Sequence, residues 1–420
     1  MKEQQKGAQM ERVFDILETG VKTNATIKVL GIGGGGGNAI NNMIAAGLNG
    51  VEFIAANTDF QVLEQSLAAQ KIQLGVNSTR GLGAGGNPEV GAKATQEDIE
   101  KIRELLQGSD MAFITAGLGG GTGTGGAPIV AQICREMGVL TVAVVTKPFG
   151  FEGKVRLRKA EEGVKALRQV VDTLITIPND RLSSLADRRA TLLDMFKRAD
   201  DVLLFAVKGI SDLIMKPGLI NVDFADVRTV MAEMGLALMG TGIAKGENRA
   251  VQAAQQAISS PLLEDISISG ARAALINISA GPDLGMHEFE EASSIIFKEV
   301  HDEAQIILGT AIDPSLEDEL RVTVIATGIG KEEYRAEAEV RHRQLRVVNG
   351  MGLGGGELDY GYLDIPSIVR NQERMAAYDG RQEPVERPVA KKKGFFKRFS
   401  GTGREDEDLN IPTFIRRQAD

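Results

Sequence analysis

What constrains this chain most is where its glycines fall. There are fifty in 420 residues, gathered into VLGIGGGGGNAI (residues 29–40), RGLGAGGNPEVG (80–91) and TAGLGGGTGTGGAP (115–128). They follow no collagen-like period and form no low-complexity tract. The first and third stretches each follow an apolar, strand-like run and open into a helical pattern. A strand that releases a glycine-rich turn into a helix N-terminus leaves backbone N–H groups free for an anion, and glycine lets the backbone approach it closely. Two such turns at one edge of a sheet can face the same phosphate chain. One glycine loop reads equally well as a flexible turn; three in one region do not. The hydroxyls of Thr122 and Thr124 add donors for phosphate oxygens or ligands for magnesium.

Gly31, Gly33 and Gly36 satisfy G-x-G-x-x-G after a strand, which opens a dinucleotide reading. That reading wants an acid at the end of the second strand, to hold the ribose hydroxyls. In VEFIAANTD the acid, Glu52, stands at the beginning and the strand ends in Ala56 and Asn57. A Walker A loop is also absent: FEGKV around Lys154 lacks both the earlier glycine and the hydroxyl residue.

Around these loops, apolar runs at 27–31, 51–56, 111–115, 139–145 and 173–177 alternate with helical stretches. The fold class this implies is α/β, a Rossmann-like parallel sheet covered by helices on both faces. Asn38 is expected to cap the helix after the first loop, with Ile40, Met43, Ile44 and Gly47 on one face. KATQEDIEKIRELLQG reads as one helix from Lys93 to Gly108. A long apolar helix over about 190–215, stopped by Pro217 and Gly218, is the expected joint. Beyond it come a helix from about Phe224, a strand at 274–280, a helix over 286–308 and a strand from Arg321, a smaller mixed α/β domain. After residue 330 the chain turns charged and glycine- and proline-dotted, as a disordered tail does. The expected organisation is an N-terminal extension (1–25), a sheet domain (26–189), a central helix (190–216), a second domain (217–330), a linker (331–408) and a terminal peptide (409–420).

A chain of this length can bury two cores. The N-terminus carries no secretory pattern, and the longest apolar run, 139–145, is far short of a membrane span, so a cytoplasmic protein is expected. A lone Cys134 permits no internal disulfide, and His287, His301 and His342 are too scattered for a metal site. The net charge of −9 argues against nonspecific nucleic-acid binding.

At GGGTGTG (119–125) the pattern becomes specific. With GIGGGGGNA, NTD (57–59), GLGAGGNP, TKPFGFEGK (146–154) and NVDFAD (221–226), the chain resembles the tubulin/FtsZ family in its bacterial cell-division branch, over about residues 26–330 and the extreme C-terminus. The resemblance implies a GTPase that binds GTP and GDP with Mg2+ and polymerises head to tail with copies of itself. Its filaments form the mid-cell division ring beneath the inner membrane. Carried onto this chain, Gly34, Gly35, Gly36, Gly37 and Asn38, with Gly121, Thr122, Gly123 and Thr124, hold the phosphates and ribose. Asn38 and Asp200 read guanine, Asp200 accepting from N1 and the exocyclic amine. Glu152 and Arg156 match ribose and nucleotide contacts, and Phe196, one turn before Asp200, either stacks on the base or belongs to the core. Val155 departs from the pattern, standing where a basic residue is expected.

Asp223 and Asp226, with Asn221 in the same motif, are the candidates for activating water. Asp223 is equally placed to cap the helix that follows it. If Asp200 touches guanine, Asp223 lies roughly 20 Å farther along the helix, out of reach of a γ-phosphate on its own chain and suited to the site of the next subunit. A non-hydrolysing nucleotide-binding structural polymer and a nicotinamide-dependent oxidoreductase are the alternatives; the paired acids weigh against the first and the missing strand-end acid against the second.

LNIPTFIRRQAD at the C-terminus resembles the family's docking peptide for membrane-tethering division proteins such as FtsA, with Ile411, Pro412, Phe414, Ile415, Arg416 and Arg417 as its contacts. LDIPSIVRNQ (363–372) repeats its register without the aromatic or the second arginine, and reads as a second docking peptide or a decayed duplicate. KKKGFFKRFSG (391–401) interleaves Phe395, Phe396 and Phe399 with basic residues, suiting anionic lipid; RNA or a protein partner fits as well.

Overall fold

The computed structural model describes residues 25–183, 189–216, 218–220, 222–232, 235–263, 271–301 and 303–329. Outside the described residues lie Pro217, expected to stop the long helix, Asn221, nearly all of the expected N-terminal extension (1–24) and everything from 330 onward. The linker, both tail peptides and the basic–aromatic segment are therefore among the residues not described.

Strand β1 (Ile27–Ile32) runs directly into helix α1 (Gly33–Ala45). β2 (Val51–Asn57), α2 (Phe60–Glu64), β3 (Gln70–Gln73), α3 (Val76–Thr79), α4 (Pro88–Glu97) and α5 (Ile99–Leu106) follow. Next come β4 (Met111–Gly117), α6 (Thr122–Glu136), β5 (Leu140–Lys147), α7 (Lys154–Arg168), β6 (Thr173–Pro178) and α8 (Asn179–Ser183). After the long α9 (Leu192–Met215) the chain forms α10 (Phe224–Met231), β7 (Gly235–Lys245), α11 (Arg249–Ile258), β8 (Ala273–Ala280), α12 (Met286–Phe297), β9 (Gln305–Ile312) and β10 (Glu319–Ile329).

Among the described residues the strands form one sheet in the order β3-β2-β1-β4-β5-β6-β7-β10-β8-β9. Pairing is parallel from β3 through β7, antiparallel on both sides of β10, and parallel again between β8 and β9. The expected α/β class, with a parallel sheet carrying the glycine loops, is what the chain adopts.

Two-residue alternation sorts the core. Val29, Val142 and Val144 face α1 and α9 with Phe113, Ile40, Met43 and Leu203. Their neighbours Leu30, Ile32, Ala143 and Val145 face the other layer, against Ile102, Val130, Ile133 and Leu167. A third cluster joins Val322, Val324 and Ile276 to Ala253, Ala257 and Ile296 of α11 and α12.

Four expectations are corrected. The KATQ helix is two, α4 and α5, broken at Asp98, whose carboxylate accepts from Gly75 N at 2.8 Å and from Lys101 Nζ at 2.6 Å. The helix from Met286 ends at Phe297, and Gln305–Ile312 is strand β9. β7 was not anticipated at all: its Gly240 and Gly242 break the apolar run because α11 lies so close that a Cβ at either would overlap the carbonyl of Ala257 or Ala253. Finally, Asn38 does not cap α1. The helix begins five residues earlier, at Gly33.

α9 is set by a reciprocal cap: Thr191 Oγ1 accepts from Asp194 N at 3.2 Å, and Asp194 Oδ2 from Thr191 N at 2.9 Å. Its 24 residues span about 36 Å. The buried stripe Met195, Ala199, Leu203, Ala206, Ile210 and Leu213 has helical spacing, and α9 packs on α1, β5, β8, β9 and β10. Past α9, residues 218–220 lie along β9, the sheet edge: Ile220 N donates to Thr310 Oγ1 at 3.0 Å and Thr310 N to Ile220 O at 3.4 Å.

At the start of α11, Arg249 is only 3 % exposed. Its guanidinium takes Glu288 bidentately at 2.7 and 2.9 Å and Asp283 at 2.8 Å. No helix among the described residues is long and apolar enough to cross a membrane.

Candidate functional site

β1 and β4 are parallel neighbours, with Gly31 opposite Thr115 and Ile32 opposite Ala116, so the loops leaving them emerge side by side. They touch through backbone. A Cβ at Gly33 would come within 2.9 Å of Gly123 N, and one at Gly35 within 3.1 Å of Gly117 Cα. Gly33 also turns the strand into the helix at φ +73°, open to glycine and strained for any other residue. Other glycines of the run face outward: a Cβ at Gly34, Gly37 or Gly120 meets nothing within 4 Å. The run therefore has two populations, one needed for close packing and one lining open space.

Both helices that begin here lack side-chain caps, α1 following Ile32 and α6 following Gly121. Side-chain caps are supplied by Asp59 on α2, Asn87 on α4, Thr191 on α9 and Asp223 on α10; α3, α5, α7 and α11 also lack one, and what sets α1 and α6 apart is that their uncapped starts are adjacent. The orphan N–H groups of α1 and α6 thus converge with their dipoles at one edge of the sheet.

The third glycine stretch plays a different part. Asn87 caps α4 with Pro88 in its first turn, and Gly91 and Gly125 allow α4 and α6 to touch through backbone. A Cβ at Gly121 would sit 2.9 Å from Asn87 N. This stretch buttresses the 118–121 loop from behind. The threonines are partly spoken for as well: Thr122 and Thr58 share a 2.6 Å hydroxyl hydrogen bond, and Thr124, buried, accepts from Gly119 N at 2.9 Å. Thr124 braces the loop through its hydroxyl.

The residues expected around the base and ribose lie in the β5–α7 connection, in α7 and in α9. Glu152 Oε1 accepts from Phe149 N at 2.9 Å, and its Oε2 accepts from Arg156 Nη1 at 2.7 Å, so the residues expected to make ribose and nucleotide contacts form one ion pair. Val155 between Lys154 and Arg156 is exposed. Phe196 is 40 % exposed, its ring perpendicular to that of buried Phe149 at 5.5 Å; Phe151 stacks on Phe149 at 5.0 Å. Phe196 is thus neither a core residue nor free, but an aromatic packed on Phe149 with surface to spare.

α1 and α9 pack together, which brings Asn38 and Asp200 onto neighbouring helices. Asn38 is exposed and Asp200 half-buried. Burial, and then the charge of adjacent Asp201, push the Asp200 carboxyl up to about 7. This is a carboxylate short of donors. Sequence reasoning missed Asn179, at the end of β6, which is 5 % exposed with its Oδ1 unpartnered; α8, which it opens, packs on α9. Only the buried setting marks it out, and that is invisible in PNDRL.

Asp223 Oδ1 accepts from Asp226 N at 2.8 Å and caps α10, and Asp226 lies exposed in the first turn. Within a single chain the capping reading of Asp223 is correct. No group of three or more His, Cys, Asp or Glu among the described residues is arranged to hold a metal ion.

Family models match this architecture in two places: the Tubulin/FtsZ family GTPase domain over residues 26–187, and the FtsZ family C-terminal domain over 235–330. The cell division protein FtsZ of Coxiella burnetii is 52 % identical over 405 residues, covering 96 % of this chain and 99 % of the relative. The chain belongs to the FtsZ family. The FtsZ of Pseudomonas aeruginosa is 48 % identical, covering 97 % of this chain and all of its own. A solved FtsZ dimer from M. jannaschii superposes with TM-score 0.72 at 46 % identity, over 76 % of this chain and 92 % of that one. CetZ2 of Haloferax volcanii, 21 % identical with TM-score 0.63 over 78 % of this chain and all of that one, shares the fold. The chain is accordingly a tubulin-like GTPase of the cell-division cytoskeleton, with GTP and GDP as its nucleotides.

Proposed function

We propose that this FtsZ-family chain holds GTP between the uncapped N-termini of α1 and α6, and hydrolyses it only where a second copy supplies Asp223 and Asp226. The observation that carries the reading is the pair of adjacent uncapped helix starts opening on unfilled space at Gly34, Gly37 and Gly120. Amides of Gly34–Asn38 and Gly121–Gly123 cradle the phosphates, Glu152 and Arg156 flank the ribose, Phe196 lies against the base, and Asn38 and Asp200 read its edge. The unfilled Asp200 carboxylate fits guanine N–H donors, and Asn179 Oδ1 offers a further acceptor. Thr122 is the hydroxyl that would help hold Mg2+ together with the nucleotide's phosphates, and the ion would neutralise charge on the phosphoryl oxygens.

From Asp200 to the end of α9 at Met215 the helix rises about 22 Å, so the acids beyond it serve a neighbour's nucleotide. In that interface Asp223 and Asp226 orient and polarise the attacking water while the glycine-loop amides stabilise the developing charge. Such contact is heterologous and open, which yields filaments; the solved dimer of the M. jannaschii relative supports self-association. Filaments of this kind, at mid-cell beneath the inner membrane, are tethered through residues 409–420 to partners such as FtsA. The repeat at 363–372 is a second, weaker docking peptide, and 391–401 rests on anionic lipid.

Asparagine keeps a helix cap and removes the carboxylate charge, so Asp223→Asn separates the two roles of that residue. It is expected to bind GTP and unfold like the parent while phosphate release falls by about 100-fold. Equimolar mixing with the parent should lower activity beyond simple dilution. Full turnover by Asp223→Asn would refute the assignment. For the tail, a peptide spanning 359–375 titrated against a purified tether, and sedimentation of the tail with anionic and neutral vesicles, provide the tests; no binding at high micromolar peptide, or equal sedimentation, removes each assignment in turn.

A further inference from the structure

We propose that a hydrogen bond between Asn42 and Asp201 positions the two base-reading residues and thereby sets the guanine selectivity of the site. This rests on the reading in which Asn38 and Asp200 grip the base. Asn42 Nδ2 on α1 donates to Asp201 Oδ1 on α9 at 2.9 Å, between residues 159 positions apart. Asn42 stands one helical turn from Asn38 on the same face, and Asp201 directly follows Asp200. The bridge therefore lies one turn behind the pair that meets the base, and it ties together the two helices that supply that pair.

The rest of the α1–α9 contact cannot do this work. It is apolar, with Ile40 and Met43 in the same cluster as Leu203, Leu204 and Val207, and hydrophobic contact is non-directional. An amide donating to a carboxylate is short and oriented, so it fixes the register that apolar packing leaves soft. On the other flank of α1, Asn41 Oδ1 accepts from Leu67 N at 2.8 Å. The adjacent asparagines thus pin α1 on both sides and leave Asn38 exposed at the open end. Phosphate contacts come from α1 and α6, which meet through glycine backbone and do not depend on α9. Loss of the bridge should consequently disturb base reading more than phosphate binding.

Titration calorimetry of the full chain with GDP and IDP at pH 8 separates these effects, because IDP keeps the phosphates and lacks the exocyclic amine. Asn42→Ala is expected to weaken GDP about tenfold and IDP about twofold, compressing selectivity about fivefold. Asp201→Asn, whose amide oxygen still accepts the bond, should keep the selectivity. Asn42→Asp should lose it by setting two carboxylates face to face, and Asn42→Asp combined with Asp201→Asn should restore it with donor and acceptor exchanged. Equal weakening of GDP and IDP by Asn42→Ala, or no restoration by the exchange, would overturn the proposal. Asp200→Ala keeps the two readings apart. If it preserves selectivity, the base assignment falls and the bridge with it; if it abolishes selectivity and Asn42→Ala does not, only the bridge falls.

Discussion

Lowering the pH from 8 to 6 should weaken guanine-nucleotide binding through Asp200. Burial first, and Asp201 second, hold this carboxyl at about 7, so near neutrality it is half protonated without ligand. Guanine donors favour the ionised form; if they return the carboxyl to the ordinary range near ~4, binding at pH 7 releases about half a proton from this group. Between pH 8 and pH 6 the dissociation constant then rises about tenfold. Calorimetry of GDP binding in buffers of different ionisation enthalpy counts the protons, and Asp200→Asn removes the contribution of the nucleotide's own phosphate. The expected result is a parent-minus-variant difference of about half a proton at pH 7. Equal proton release by parent and variant would show that Asp200 does not meet the base. The sign for folding is opposite: with its pKa raised above the unfolded value, the native chain holds more protons than the unfolded one between about pH 4 and 7. The Asp200 contribution to stability therefore declines as pH rises through that window, and bound nucleotide offsets the decline.

The two glycine populations separate by mutation. Gly36→Ala drives a Cβ into the Thr115 carbonyl and should cost about 1–3 kcal/mol in urea unfolding. Gly34→Ala meets nothing and should leave stability equal or up to about 1 kcal/mol higher while GDP affinity falls; unchanged affinity would mean that no ligand approaches Gly34. Arg249→Ala removes the partner of Glu288 and Asp283, and because both carboxylates keep some contact with water it should cost about 1–3 kcal/mol, read from the urea midpoint. A loss under about 1 kcal/mol would show the network to be solvated.

The parallel strands were legible because their alternation is written in Val29, Leu30, Val142 and Ala143, whose faces the structure keeps. The glycine loops were legible as a pair because strand, turn and helix follow without interruption. What failed to read were places where tertiary contact overrides local preference. Glycine disfavours helix, so placing the start of α1 at Asn38 was reasonable; the helix begins at Gly33 because only glycines let α1 press on the backbone of β4. Ile306, Ile307 and Leu308 extend the apolar spacing of α12, and strand β9 is revealed only by its pairing with β8. In the site, Asp200 was accessible through motif resemblance, whereas Asn42 lies outside every quoted motif and acquires its role from a partner 159 residues away.

The segment 218–220 both leads to Asp223 and lies along β9 at the free edge of the sheet. An uncovered edge strand is a template for pairing with foreign strands. On the proposed assignment this cover of the sheet edge stands beside the acids, Asp223 and Asp226, that serve a neighbour's nucleotide. Substituting Asp223 or Asp226 can slow turnover while the cover stays in place, but deleting 218–220 uncovers Thr310 and its neighbours, so such chains should be lost as insoluble protein before their turnover matters. If the proposed assignment holds, turnover is tuned through side chains, while the length of this segment answers to solubility.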